Sequence, residues 1–364
     1  MTEKPNKKIL YAASTQSHLE CFHQPYLAAL REHADVFTMA TGEGVDFSIA
    51  FDKHFFSFAN LRSIFRIRKI LKKERFDAVL LHTTLAAFLI RAAMFGWRKR
   101  PYVLNVVHGY LFQKDIKGMK DRVLLLCEKL MRRKTDDIAV MNAEDLTIAQ
   151  THRLCLGSVC FINGMGMPSS ETLPVPDTAL RAKYAKRSSD FICTFVGELS
   201  KRKNQIFLIR AARRLREEGI PITLLLIGEG SERETLDREI KALQLEKNAF
   251  LTGTKTPVLP YLAITDLYVS ASTSEGLPFN VMEAMSCGLP IAASDTKGQN
   301  DLLHNTDCLY PLDDMDAFCD AVRHVYASGR YGVGAKTYPV LKQYRLSAVF
   351  EDNMKILTMG FTKQ

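Results

Sequence analysis

The sequence predicts an α/β protein built from two doubly wound, Rossmann-like domains. Three observations carry that expectation. The chain has 364 residues, near the length of two domains of roughly 150 residues each. Short β-rich apolar runs alternate with helical patterns along most of it, the rhythm of βα units around a parallel sheet. The rhythm lapses once, between Gly164 and Asp190, where Gly, Pro and Ser gather. Hydrophobic residues at 47% and charged residues at 24% are ordinary globular values and exclude a disordered or fibrous chain.

In the first half, strands are expected at Ile9–Ser14, Val36–Ala40, Ala78–His82, Tyr102–Val107, Asp137–Met141 and Val159–Asn163. Helices fall between them at Pro25–Ala34, Leu61–Glu74, Leu85–Phe95, Asp121–Arg133 and Ala143–His152. The second series opens with the strand Phe191–Val196 and a helix running to Glu218. Strands at Thr223–Ile227, Ala249–Thr252, Leu267–Ala271 and Ile291–Ser294 follow, with helices at Glu232–Leu243, Phe279–Ser286 and Met315–Ala327. Tyr338–Met359 is helical but belongs to no βα unit. The expected divisions are residues 1–168, a linker over 169–189, a second domain over 190–337 and a terminal helix over 338–364.

The longest apolar runs, such as Ile222–Ile227, are far shorter than the roughly 20 residues of a membrane-spanning helix. Met1–Lys8 leads straight into a strand with no apolar leader, and the eight cysteines form no Cys-x-x-Cys pair. A cytoplasmic protein with reduced thiols is expected, free to be peripheral on the inner face of the membrane.

Charge is unevenly placed. Residues 1–170 hold 25 Lys+Arg against 16 Asp+Glu, which is the whole +9 excess of the chain. Its densest part, Arg62–Arg75, sets Arg62, Arg66, Arg68, Lys69, Lys72, Lys73 and Arg75 around an apolar stripe of Ile64, Ile67 and Leu71. Arg98 to Arg100 and Arg132 to Lys134 form two further clusters. Two readings stand open: a solvated helix face, or a surface drawn to anionic lipid or a lipid-linked phosphate. No nucleic-acid motif accompanies the charge, and nucleic acid is not an expected partner.

The chemistry concentrates between Ser274 and Pro290. A strand ends in a turn carrying Glu275 and Gly276, Pro278 sits at the first turn of a helix, and Glu283 lies within that helix. Unpaired N–H groups at such a turn suit a diphosphate at the carboxyl edge of a parallel sheet. Carboxylates beside it suit a hydroxyl-rich ligand, since each accepts from two vicinal hydroxyls.

Glu275 and Glu283, eight residues apart and followed by Gly288, Leu289 and Pro290, resemble the retaining glycosyltransferases of family 4, which have the GT-B fold. Phe195–Gln205, Leu224–Gly230, Leu251–Gly253 and Gly298–Asp301 resemble further family segments in order, and Val107–Gly109 with Ile162–Gly166 resemble its capsule and exopolysaccharide members. The resemblance implies two Rossmann-like domains facing a cleft, the first for acceptor and the second for donor, with the terminal helix returning to the first. It implies a hexose or N-acetylhexosamine donated by a nucleotide sugar, UDP-linked, to a saccharide or lipid-linked oligosaccharide acceptor. No cofactor or metal is required.

Carried over by residue, Glu275 contacts the transferred sugar, Lys203 neutralises the diphosphate, and His108 reaches the donor sugar. Glu283 holds the ribose, and the amides of Gly276, Leu277 and Phe279 cradle the diphosphate. Gly197, Gly228 and Gly253 line the nucleotide site; Glu198 stands where the family often has arginine, so Lys201 or Arg202 must supply that charge. The family's glycine-rich turn after the first strand is replaced by Ser14–Glu20, a loop expected to line the acceptor side through His18 and Glu20. Lys114 and Lys117 join them as acceptor-side candidates. Asp314 and Asp316 read as a helix cap rather than a metal motif. Two alternatives keep the fold: a nucleotide-sugar epimerase or transferase to a soluble acceptor, and a non-catalytic membrane- or nucleic-acid-binding module.

Overall fold

Strands apolar on both faces need helices on both sides, and the chain supplies two such sheets. The computed structural model describes residues 7–52, 57–116, 118–168, 175–187, 189–304, 306–332 and 338–362. The chain divides into two units, Met1–Pro168 with Gln343–Gln364, and Ser169–Lys342.

The first unit runs β1 (Lys8–Thr15), α1 (Gln16–Phe22), α2 (Gln24–Arg31), β2 (Asp35–Thr41), β3 (Phe47–Ser48), α3 (Phe58–Glu74), β4 (Ala78–His82), α4 (Thr84–Ala93), β5 (Tyr102–Val107), α5 (Met119–Met131), β6 (Asp137–Val140), α6 (Ala143–Thr151) and β7 (Val159–Phe161). The second runs α7 (Thr178–Tyr184), β8 (Phe191–Val196), α8 (Gln205–Glu217), β9 (Ile222–Ile227), α9 (Arg233–Ala242), β10 (Ala249–Gly253), α10 (Leu259–Ala263), β11 (Leu267–Ser270), α11 (Phe279–Ser286), β12 (Ile291–Ser294), α12 (Gln299–Leu303), β13 (Leu309–Tyr310) and α13 (Met315–Gly332). The closing helix α14 (Leu346–Thr362) belongs to the first unit.

Strand order is β3-β2-β1-β4-β5-β6-β7 in the first sheet and β10-β9-β8-β11-β12-β13 in the second. Every pairing between these strands is parallel. Each order reverses beside the unit's first strand, between β1 and β4 and between β8 and β11, so crossovers leave in opposite directions there. Such a switch point opens a crevice at the carboxyl ends of the strands.

Three local differences from the sequence expectation have clear causes. Ser14–Glu20 is not a loop: Gln16–Phe22 is helical, capped by the Thr15 hydroxyl accepting from the His18 amide. Gly298–Asp301, which resembles the family's loop after the helix that bears Glu283, instead opens α12, with the Asp301 carboxylate accepting from the Gly298 amide at 3.2 Å. The stretch from Tyr338 is not one helix. Pro339–Tyr344 is a 3₁₀ turn, and at Arg345 the backbone pairs with Met167 instead (Met167 N to Tyr344 O 2.8 Å, Leu346 N to Met167 O 2.9 Å). The helix restarts as α14 only after that bridge.

In the first unit, α14 packs against β4 and β5. Asn353 Nδ2 donates to Tyr26 Oη and to Gly164 O, both at 2.9 Å, and Phe350 stacks on Tyr26 at 5.2 Å. Gly360 lets the helix pass the Tyr102 ring, where a Cβ would lie 2.2 Å from Cδ1. Arg91, fully buried on α4, makes a bidentate pair with Glu128 on α5, with both bonds at 2.9 Å. Breaking such a pair by removing one partner costs about 3–5 kcal/mol.

The basic clusters are partly structural. Arg68 donates to the Ala93 and Phe95 carbonyls at 2.7 and 2.8 Å, finishing α4. Arg100 makes a bidentate pair with Asp136, and Lys134 donates to Trp97 O at 3.1 Å. Among the described residues no helix is long and apolar enough to cross a membrane. Asp314 caps α13, its Oδ1 accepting from Ala317 N at 2.9 Å.

Candidate active site

In the second unit, Val196 of β8 lies beside Ile227 of β9, so the glycines that follow them, Gly197 and Gly228, meet at the carboxyl edge of the sheet. A Cβ on Gly228 would stand 1.9 Å from Gly197 O, and both glycines have positive φ. Gly228 N donates to Gly253 O at 3.0 Å. The three glycines thus close on one another and add no side chains of their own to the edge. Asn280 Nδ2, on α11, donates to Val196 O at 2.6 Å and ties that helix to the same edge.

The turn after β11 is held from behind. Ser272 O accepts from Ser294 Oγ at 2.6 Å, Thr296 Oγ1 at 3.0 Å and Gln299 Nε2 at 3.4 Å. Thr273 N donates to Arg202 O and Glu275 N to Lys297 O, at 2.8 and 2.9 Å. Gly298, at φ +80°, approaches so closely that a Cβ would lie 2.7 Å from the carbonyl oxygens of both Glu275 and Gly276. Gly276 and Leu277 are half-buried in this turn. Phe279 departs from its expected part as a free diphosphate donor, because its N–H closes a tight turn onto Leu277 O at 3.0 Å.

Glu275 is the centre of the site. Its Oε1 accepts from Lys203 Nζ at 2.5 Å and its Oε2 from Arg202 Nη1 at 2.7 Å, while Arg202 also reaches Ser274 O at 2.7 Å. Glu275 and Lys203 are each 7% exposed. Burial alone would raise the Glu275 pKa, but Lys203 and Arg202 outweigh it and hold the carboxyl below its ordinary range. Burial pulls the Lys203 ammonium below its ordinary range, opposed by Glu275. Lys201 lies exposed in the same short 3₁₀ turn, Lys201–Lys203. Of the two residues expected to replace the missing arginine, Arg202 is the one that meets the carboxylate. Glu283, on α11, is pushed up to about 7 by burial.

In the first unit the carboxyl ends of β1, β4 and β5 carry a histidine cluster. His108 Nε2 lies 3.2 Å from His82 Nδ1, and Tyr11 Oη lies 2.8 Å from His23 Nδ1. The His18 ring sits 4.8 Å from that of His108 and 5.0 Å from that of His23. Sequence reasoning selected His18 and His108 but missed His23, His82 and Tyr11. Glu20 does not join them; it is exposed and accepts from Gln16 Nε2 at 2.6 Å along α1. Lys114 is exposed, with its amide donating to Glu144 Oε1 at 2.8 Å. Lys117 lies outside the described residues.

Comparison with known proteins places these features in a family. Residues 176–333 match the family described as glycosyl transferases group 1, and residues 20–149 match the glycosyl transferase 4-like domain. The chain is 29% identical over 334 residues to EpsD of Bacillus subtilis, covering 88% of this chain and 87% of that one. It is 27% identical over 276 residues to the UDP-Gal:alpha-D-GlcNAc-diphosphoundecaprenol alpha-1,3-galactosyltransferase of Escherichia coli, covering 73% and 70%. Among solved structures, HepE of Anabaena in complex with UDP-glucose superposes with a TM-score of 0.74 at 16% identity, covering 97% and 99%.

Glu283 offers a test of the electrostatics. Its carboxyl is raised from 4.5 to about 7 because burial disfavours the charged form, so the folded state binds the proton more tightly than the unfolded chain. That stability is full below about pH 4.5 and is lost as pH rises through 7. Glu283→Gln is therefore expected to unfold at a higher temperature than the parent at pH 8, by up to about 3 kcal/mol of stability. At pH 4 the two should melt alike. Equal gains at both pH values would contradict the assignment.

Proposed function

The chain belongs to the group 1 glycosyltransferases of family 4, enzymes of the GT-B fold, and from that premise we propose its donor, its acceptor and the surface on which it works. The donor is a UDP-sugar bound at the carboxyl edge of the second sheet. The observation that carries this is the buried Glu275 held by Lys203 and Arg202, next to an edge that Gly197, Gly228 and Gly253 keep open. UDP-glucose in the HepE structure and the UDP-galactose named for the E. coli relative support the nucleotide.

In this reading Lys203, with Lys201 near the rim, balances the diphosphate, and Gly276 and Leu277 approach it by backbone. Glu275 keeps lone pairs for the sugar hydroxyls, and Glu283 takes the ribose. The acceptor hydroxyl oxygen bonds to the anomeric carbon on the face from which the diphosphate leaves. The bond from that carbon to the phosphate oxygen breaks, and the departing UDP takes the hydroxyl proton. Configuration is retained, and positioning with charge stabilisation supplies the rate. His108, kept neutral mainly by burial and further by His18, presents an uncharged imidazole at the end of β5.

The acceptor proposed is a lipid-linked saccharide in polysaccharide assembly, supported by the diphosphoundecaprenol acceptor named for the E. coli relative. The first unit carries a matching surface. On α3, Phe58 is 85% exposed and Phe65 65%, with Leu61 beside them. On α5, Met119 is 73% exposed, with Val123, Leu126 and Leu130 exposed along the same ridge. Both helices pack against α4. Exposed Arg62, Arg66, Lys69, Lys72 and Lys73 on α3 and Lys120, Arg122 and Lys129 on α5 surround these rows. Apolar rows ringed by lysine and arginine are how a helix lies in an anionic lipid interface.

Two measurements check the proposal. Release of UDP from a panel of UDP-hexoses and UDP-N-acetylhexosamines should fall at least about 100-fold in kcat/KM for Lys203→Met and for Glu275→Gln; parental turnover in both would reject the site. The parent chain should co-sediment with phosphatidylglycerol vesicles at low salt. Phe58→Ser with Phe65→Ser should weaken that binding severalfold, whereas unchanged binding would reject the surface.

A further inference from the structure

Four imidazoles and a phenol meet in the first unit: Tyr11 on β1, His82 ending β4, His108 just after β5, His18 on α1 and His23 between α1 and α2. The His23 and His82 ring centroids are 4.2 Å apart, His18 and His108 4.8 Å, and His82 and His108 5.5 Å, while Tyr11 stacks on His82 at 4.5 Å. His23 and His82 are fully buried. Burial is the leading cause that lowers all four histidines below their ordinary pKa; for His23, His82 and His108 mutual repulsion adds to it, and His18 falls to about 4. The rings are therefore neutral at pH 7, each with one nitrogen that bears a proton and one with a bare lone pair.

The hydrogen bonds inside the cluster do not use all of these nitrogens. Tyr11 Oη meets His23 Nδ1, and His82 Nδ1 meets His108 Nε2. His18 Nε2, His23 Nε2 and His82 Nε2 are buried and have no hydrogen-bond partner among the described residues. Buried polar atoms left this way are costly, and two of the three belong to His18 and His23. One ligand atom from each of His18, His23 and His108 lies within 4.8 Å of the other two.

The geometry points to a site for a divalent transition-metal ion of the zinc class, held by His18, His23 and His108. Imidazole nitrogen is a preferred zinc ligand, and ligation requires it neutral, as these rings are. Around a zinc ion at about 2.1 Å, tetrahedral ligand nitrogens stand about 3.4 Å apart, so side-chain rotation has to draw the present atoms closer by little more than 1 Å. Ligating histidines need their second nitrogen engaged by an outer partner. Tyr11 supplies that for His23, and His82 lies against His108. Three protein ligands leave a coordination position open for water or for an oxygen of a bound molecule. The inference concerns the first unit alone, and His108 is the one residue it shares with the reading of the donor sugar.

The test uses the full-length chain without an affinity tag, freed of metal by a chelator and titrated with Zn²⁺ by calorimetry and with Co²⁺ by visible absorption. One Zn²⁺ per chain is expected, with the strong visible bands of four-coordinate Co²⁺ that Zn²⁺ then abolishes. His18→Asn, at a partly exposed position, should weaken Zn²⁺ binding more than about 100-fold, and Tyr11→Phe about 10–100-fold, the range typical of a lost outer partner. His152→Asn, outside the cluster, should bind as the parent does. A thermal melt of each variant confirms folding. No stoichiometric Zn²⁺ binding by the parent, or parental affinity in a folded His18→Asn, would overturn the site.

Discussion

Glu275 is both buried and charged, a combination that Lys203 and Arg202 above all make tolerable. An isolated carboxylate in that position would take up a proton or unfold its surroundings. The pair therefore constrains more than its own atoms. Lys203 must sit in the turn after β8, Glu275 in the turn after β11, and the two strands must be neighbours, as they are at the reversal of strand order. The rest of the edge is arranged around this contact. Gly298 packs on the Glu275 and Gly276 carbonyls, and Ser272 O gathers three donors from the end of β12 and the residues that follow it. A preorganised cation pair at a sheet edge is what a leaving diphosphate needs, because its charge is met without reorganisation.

Much of this was legible in the sequence, and the reason is locality. Strands buried on both faces read as apolar runs, and Glu275, Gly276, Pro278 and Glu283 lie within one short segment whose chemistry could be weighed directly. Lys203 is 72 residues away in sequence from the carboxylate it serves, and only the family resemblance tied them together. The histidine cluster shows where such reading stops. His18, His23, His82 and His108 come from separate segments, and a lone histidine carries no signal of its neighbours. The spacing of His18 and His23 across a helix junction, before Pro25, was the available clue, and treating Ser14–Glu20 as a loop concealed it.

The basic helix α3 teaches a related lesson. Its apolar stripe of Ile67 and Leu71 is buried as periodicity requires, with Ile64 packed against the same core. Phe58, Leu61 and Phe65 form a second, exposed apolar row, and a single-stripe reading of the helix overlooks it. Net charge alone could not separate structural cations from available ones either. Arg68, Arg100 and Lys134 are engaged with backbone or carboxylate, whereas Arg62, Arg66 and Lys69 remain exposed beside the aromatic rings.

The central claim is that Lys203 and Glu275 act as one unit in receiving the diphosphate. A double-mutant cycle of Lys203→Met and Glu275→Gln, read as the UDP dissociation constant by calorimetry, tests it most directly. If they act together, either single change costs nearly as much affinity as both, and the coupling exceeds about 1 kcal/mol. Losses that simply add, to within about 0.5 kcal/mol, would show that the two residues meet UDP independently and would contradict the account.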